Sequence, residues 1–279
     1  MPVDVRRMPA PTWILLRGLT REQRHWGSFA QTFVEVIPTA RVIALDLPGN
    51  GALYREPSPL TVADMALHCR RELRRLGVPP PYFLLAMSLG AMVATAWAAS
   101  QPQELTGAVL INTSMRPFSP PQQRLRPRNL GRLLRLMLAP PDALDREEAV
   151  LRLTSNAPER HAGVTTQWAA WQRECPVSRA NALRQVWAAA RWSAARARSA
   201  VPVLLLSSAA DALVDPRCSV QLARHWACPL ATHPWAGHDL PLDDAPWVAA
   251  QVRAWLEGRP GLQAPVLHTQ SLARLDRST

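Results

Sequence analysis

Ser88 sits where two kinds of chain meet. Tyr82-Phe83-Leu84-Leu85-Ala86-Met87 is an apolar run of strand length, and Leu89-Gly90 leads into the helix-forming stretch Ala91–Ala99. A hydroxyl at such a junction is placed for nucleophilic attack. The turn must be tight, so the residues two positions away must be small, and they are Ala86 and Gly90. The following helix would direct its N-terminus, with its partial positive charge, at the site. A serine also needs a base. Of the seven histidines, His238 in Trp235-Ala236-Gly237-His238-Asp239 lies on a glycine-flanked loop between the last strand candidate and a closing helix. His233 falls within that weak strand and reads as a packing residue. An orienting carboxylate is expected just past the preceding strand, Pro202–Ser208, where Asp211 and Asp215 follow. Asp211 is nearer the strand end and is preferred, with Asp215 as the alternative. The oxyanion of an acyl intermediate requires two backbone N–H donors. Position suggests Leu89, after the nucleophile, and Leu19, after the Gly18 turn.

These side chains need a rigid frame. Apolar runs at 13–18, 41–49, 82–87, 107–114, 202–208 and, more weakly, 231–238 alternate with helical patterns. That alternation predicts an α/β fold with a mainly parallel sheet and helices on both faces. One helix is expected from Thr61, its N-cap, to Gly77, with Cys69 packed in the core beside Met65 and Leu73. From about Met115 to Ala200 the strands stop and prolines separate helical stretches at 129–139, 146–155 and 185–200. This reads as a helical cap insertion over residues 115–200, set into a core formed by 1–114 and 201–257. Residues 246–258 read as the closing helix, and 258–279 as a loose tail.

The motifs together resemble the α/β-hydrolase fold family over residues 11 to 257. They are the strand ending Arg17-Gly18-Leu19, Asp46-Leu47-Pro48-Gly49-Asn50-Gly51, Ala86-Met87-Ser88-Leu89-Gly90, the Asp211 loop and Gly237-His238-Asp239. Within that family the chain is similar to small carboxylesterases, including those that cleave the methyl ester of a carrier-bound pimeloyl chain. The resemblance implies a serine esterase working through Ser88, His238 and Asp211, with thioesters also possible and no metal or organic cofactor. A C–C bond hydrolase, a lyase, an acyltransferase or a non-catalytic binding protein on the same fold are the alternatives. Two positions depart from the family pattern. Arg17-Gly18 replaces the usual His-Gly, with Arg17 expected to face solvent or else a substrate carboxylate, and Ala86 replaces the first glycine of the serine turn.

Composition narrows the partners. The 279 residues carry 32 basic and 21 acidic side chains, net charge +11, and all the basic ones are arginine. The arginines are scattered and no nucleic-acid motif accompanies them, so nucleic acid is not expected as a partner. An anionic membrane surface or an acidic carrier protein would suit the charge. Arg124, Arg126 and Arg128 in the insertion are the candidates for docking a carrier or a substrate carboxylate. The four cysteines share no metal-binding or disulfide spacing. No apolar run reaches the length of a membrane span, and a cytoplasmic location is expected.

Overall fold

The computed structural model describes residues 11–138, 142–194 and 199–258. Six strands, β1 (Thr12–Leu16), β2 (Arg41–Leu45), β3 (Tyr82–Met87), β4 (Leu105–Ile111), β5 (Val203–Ser208) and β6 (Leu230–His233), form one sheet in the order β2-β1-β3-β4-β5-β6. Every pairing is parallel. A parallel sheet is covered on both faces, which is why these strands read as nearly continuous apolar runs rather than alternating ones.

The two faces bury different residues of the same strands. Ile14, Leu16, Leu84, Ala86, Leu110 and Leu205 face one core, and Trp13, Leu15, Leu85, Met87, Val109 and Leu206 face the other. Helices α1 (Phe29–Val36), α2 (Val62–Arg75) and α3 (Leu89–Ser100) precede β4. Between β4 and β5 run α4 (Pro121–Arg124), α5 (Leu130–Leu138), α6 (Ala143–Thr154), α7 (Val164–Glu174) and α8 (Arg179–Arg191). After β5 come α9 (Arg217–Trp226), α10 (Leu240–Asp243) and α11 (Ala245–Leu256). The first core packs α2, α3 and α9, and the second packs α1 and α11.

Local chemistry fixes the ends of these elements. Thr61 caps α2 as expected, its side chain accepting the Asp64 N–H at 3.1 Å. Met65, Cys69 and Leu73 are fully buried one turn apart along its inner face. The helix expected over 185–200 differs. It begins at Arg179, where the Ser178 side chain accepts the Asn181 N–H, and ends at Arg191. The apolar pattern after 185 concealed a start that a serine cap sets. The expected tail beyond Gly258, and the parts of helix candidates at 139 and 195–198, lie outside the described residues.

The topology places the site. The order reverses at β1, since β2 lies on one side of it and β3 on the other. Ligands of open parallel sheets bind at such a switch point, beyond the carboxyl ends of the strands. The Gly18 turn follows β1, and Ser88 follows β3.

Candidate active site

Ser88 is held between β3 and α3 with φ 53° and ψ −115°, outside the regions open to most L-residues. Such a conformation costs about 1–3 kcal/mol and persists only where its surroundings impose it. Here the Ser88 N–H donates to Ile111 O at 2.9 Å, and Thr113 Oγ1 donates to Ser88 O at 3.1 Å. The small neighbours are required by contact. A Cβ at Gly90 would land on the backbone carbonyls of Leu16 and Arg17, and one at Gly18 would press on Ser88 Cβ at 3.1 Å. Ala86 is fully buried in the strand and takes the other small position without conflict.

The histidine and the aspartate meet. His238 Nδ1 lies 2.7 Å from Asp211 Oδ2, and both side chains are buried. Asp211 Oδ1 accepts the N–H groups of Leu213 and Val214 at 2.8 and 3.0 Å. An ionised carboxylate only accepts, so Nδ1 carries the proton and Nε2 is left with its lone pair. Burial disfavours the imidazolium. The Asp211 charge and hydrogen bond, together with the Asp239 charge, outweigh burial and the opposing Arg17, and raise the His238 pKa above the ordinary histidine value. Asp215 is engaged elsewhere, with Arg217 Nη2 at 2.7 Å. His233 is buried in packing as expected, with Nε2 3.2 Å from Asp244 Oδ2.

Ser88, His238, Leu19 and Leu89 all line one cavity of about 790 Å³. The Leu19 and Leu89 amide N–H groups have no protein acceptor among the described residues. The cavity floor is the rim of the sheet. Its roof comes from the helices between β4 and β5, through side chains such as Leu130, Leu134, Val150, Leu153 and Val186.

Arg17 does not face solvent. It is buried and forms a two-pronged pair with Asp239, Nη2 to Oδ2 at 2.5 Å and Nη1 to Oδ1 at 3.1 Å. Its guanidinium also lies 5.0 Å from the centre of the Trp26 ring. Burial alone would raise the Asp239 pKa, but the Arg17 charge and hydrogen bonds hold it below the usual carboxylate value. This pair ties the residue before Gly18 to the residue after His238. The physical reason is the partner: a buried carboxylate demands a cation, and only the fold brings these two positions together.

Three further polar residues hold this geometry. Asn112, with φ 44° just past β4, donates from Nδ2 to His238 O at 2.8 Å and accepts the Ser208 N–H at Oδ1. Gln185 on α8 accepts the Thr20 N–H at 2.8 Å and donates from Nε2 to Asn50 Oδ1 and Ser58 Oγ. Glu147 on α6 pairs with Arg21 at 2.5 Å. The histidine loop is docked from above as well, since the Asp239 N–H donates to Thr154 O at 2.8 Å. The only signals for these residues in the sequence are an amide at a strand end, a glutamine within a helical pattern and one acid in the charged run Asp145–Glu148. Of the arginines expected to face a carrier or a substrate, Arg124 donates to the Ala189 and Ala190 carbonyls. Arg126 lies 4.0 Å from Asp215, and Arg128 is exposed.

The family model described as serine aminopeptidase, S33, matches residues 38–244, more than half of the chain. The chain belongs to this family of α/β hydrolases. S33 membership agrees with the sheet order and with the expected fold. A stretch of 102 residues is 30% identical to the biotin biosynthesis bifunctional protein BioHC of Teredinibacter turnerae, covering 36% of this chain and 17% of that protein. The chain therefore matches less than a fifth of that relative's length. A thermophilic esterase from Thermogutta terrifontis superposes with a TM-score of 0.70 at 23% identity, covering 89% of this chain and 90% of the other. The enol-lactonase from Burkholderia xenovorans LB400 superposes with a TM-score of 0.72 at 19% identity, covering 90% and 93%. At these identities the structural likeness establishes the α/β-hydrolase fold. No described helix is long and apolar enough to cross a membrane.

Proposed function

We propose that this hydrolase cleaves a carboxylic ester, or a thioester, with an apolar acyl chain through a covalent acyl-enzyme. The observation that carries the reading is the buried His238–Asp211 pair at 2.7 Å, bordering the same cavity as the strained Ser88. Ser88 Oγ attacks the carbonyl carbon while its proton passes to His238 Nε2. Asp211 holds the ring in the required tautomer and stabilises the imidazolium. The N–H groups of Leu19 and Leu89 receive the negative charge that forms on the carbonyl oxygen. The tetrahedral species collapses, and the leaving alkoxide or thiolate takes the proton from His238. Water, deprotonated by the same imidazole, then releases the acid and frees Ser88.

In this reading Arg17 and Asp239 keep the oxyanion loop and the histidine loop in register. Residues 115–200 act as the cap that shapes the acyl site, because their apolar side chains roof the cavity. Support for an acidic carrier protein as partner is narrower. Arg124 is committed to backbone carbonyls and Arg126 lies beside Asp215, which leaves Arg128 as the exposed member of the three.

The test is hydrolysis of p-nitrophenyl esters of increasing acyl length by wild type and Ser88→Ala. Turnover should fall by about a thousandfold or more in the variant, and wild type should favour chains long enough to fill the cavity. Wild-type rates in Ser88→Ala would remove the assignment.

A further inference from the structure

Ten large apolar side chains are exposed among the described residues, and five of them lie on two helices: Leu130 and Leu134 on α5, and Leu183, Val186 and Trp187 on α8. These helices pack against each other. The exposure is substantial, 48% for Leu130 and 53% for Trp187. Scattered apolar side chains on a surface need no explanation, but a cluster does. This one runs into the candidate active site, since Leu130, Leu134 and Val186 also line its cavity.

The charged residues of the two helices have one sign. Arg128, Arg132, Arg135 and Arg191 are exposed beside the cluster, and neither helix contains an aspartate or a glutamate. The Arg191 guanidinium lies 5.1 Å from the centre of the Trp187 ring, which places a cation at the edge of the apolar face. Leucines and a tryptophan on one face, with arginines along the margins, are the composition of a helix surface that lies in a lipid headgroup region. The net charge of +11 acts in the same direction over longer range.

We propose that the exposed apolar face of α5 and α8, which continues into the cavity lining, docks on an anionic lipid surface, so that a lipid-dissolved ester enters the cavity directly from that surface. An acyl chain would then pass from hydrocarbon to a hydrocarbon-lined cavity without crossing water, which removes the cost of exposing it. An acidic protein partner would match the arginines but leave the apolar centre of the face unexplained. Each arginine near an anionic bilayer adds about a fivefold gain in partitioning, which salt screening diminishes.

The experiment is co-sedimentation of the full chain with vesicles of ether-linked phosphatidylcholine, with and without ether-linked phosphatidylglycerol. Binding to the anionic vesicles should exceed binding to the neutral ones by about tenfold or more, and should decline as salt rises. Leu183→Glu and Trp187→Glu, neither of which lines the cavity, should abolish vesicle binding. They should leave the melting temperature and the turnover of a soluble short-chain ester unchanged. Equal binding to both vesicle types, no binding to either, or undiminished binding by these variants would overturn the proposal. So would capture of a purified acidic acyl carrier protein by this face in the absence of vesicle binding. Because ether lipids are not cleaved, the outcome is independent of whether the chain hydrolyses esters.

Discussion

The rim beneath the cavity and the helical roof above it solve opposite problems. At the rim, polar and charged groups are buried and matched: Arg17 with Asp239, His238 with Asp211, and Gln185 with Thr20, Asn50 and Ser58. At the roof, apolar groups are exposed and unmatched: Leu130, Leu134, Leu183, Val186 and Trp187. A buried ion costs free energy unless it is paired, so each rim group is fixed by its partner. An exposed leucine contributes little to folding and is free to serve contact. In the proposed reading the difference separates the part of the molecule that must hold the site's geometry from the part that meets the substrate's surroundings. Substitution should therefore damage the two regions in different ways.

The largest effect on stability should come from breaking the rim pair on one side. Arg17→Met leaves a buried carboxylate without a cation and should cost about 3–5 kcal/mol, measured by urea unfolding. Arg17→Met combined with Asp239→Leu removes both charges and should recover most of that loss. Stability of the double variant no better than that of the single would mean that the two residues do not act as a pair.

Gln185 links roof to rim, and its removal should be intermediate. Gln185→Leu leaves the half-buried Thr20 N–H and the buried Asn50 Oδ1 without their Gln185 partner. The expected loss is about 2 kcal/mol of stability, with a fall in kcat larger than the change in KM. Unchanged kcat would separate the helical roof from the oxyanion loop.

A smaller effect is electrostatic and concerns pH. In the proposed mechanism His238 must be neutral to accept the serine proton, so activity is expected above its pKa and should be lost as pH falls through it. Asp211 and Asp239 raise that pKa, while burial and Arg17 oppose them. Asp239→Asn removes a charge that favours the imidazolium, so the acid limb of kcat/KM should move to lower pH. A shift to higher pH would contradict the sign of this interaction. The smallest effect should come from the roof itself. Leu183→Ser should change unfolding free energy by less than about 0.5 kcal/mol, because the side chain is already half exposed.

The same contrast explains what could be read from the residues alone. The strained turn at Ser88 and the meeting of Asp211 with His238 were legible because strand-ending positions in a parallel sheet converge on one edge. The parallel fold itself was legible from the alternation of apolar runs with helical patterns. Arg17 was not, since its partner lies far away in the chain and an isolated arginine after a strand gives no sign of burial. Asn112 and Gln185 escaped for a related reason. A single amide in an apolar segment carries no periodic signal, and its value lies wholly in what the fold sets against it. The start of α8 at Arg179 depends on one serine cap, which the stronger apolar pattern beginning at Gln185 obscured.

The central claim is that Ser88 becomes nucleophilic because His238 and Asp211 stand behind it. Labelling with a fluorophosphonate, followed by peptide mass spectrometry, tests it most directly. One covalent adduct is expected on Ser88 in the wild type, formed far more slowly in His238→Ala and absent in Ser88→Ala. An unlabelled wild type, or equal labelling rates with and without the histidine, would contradict it.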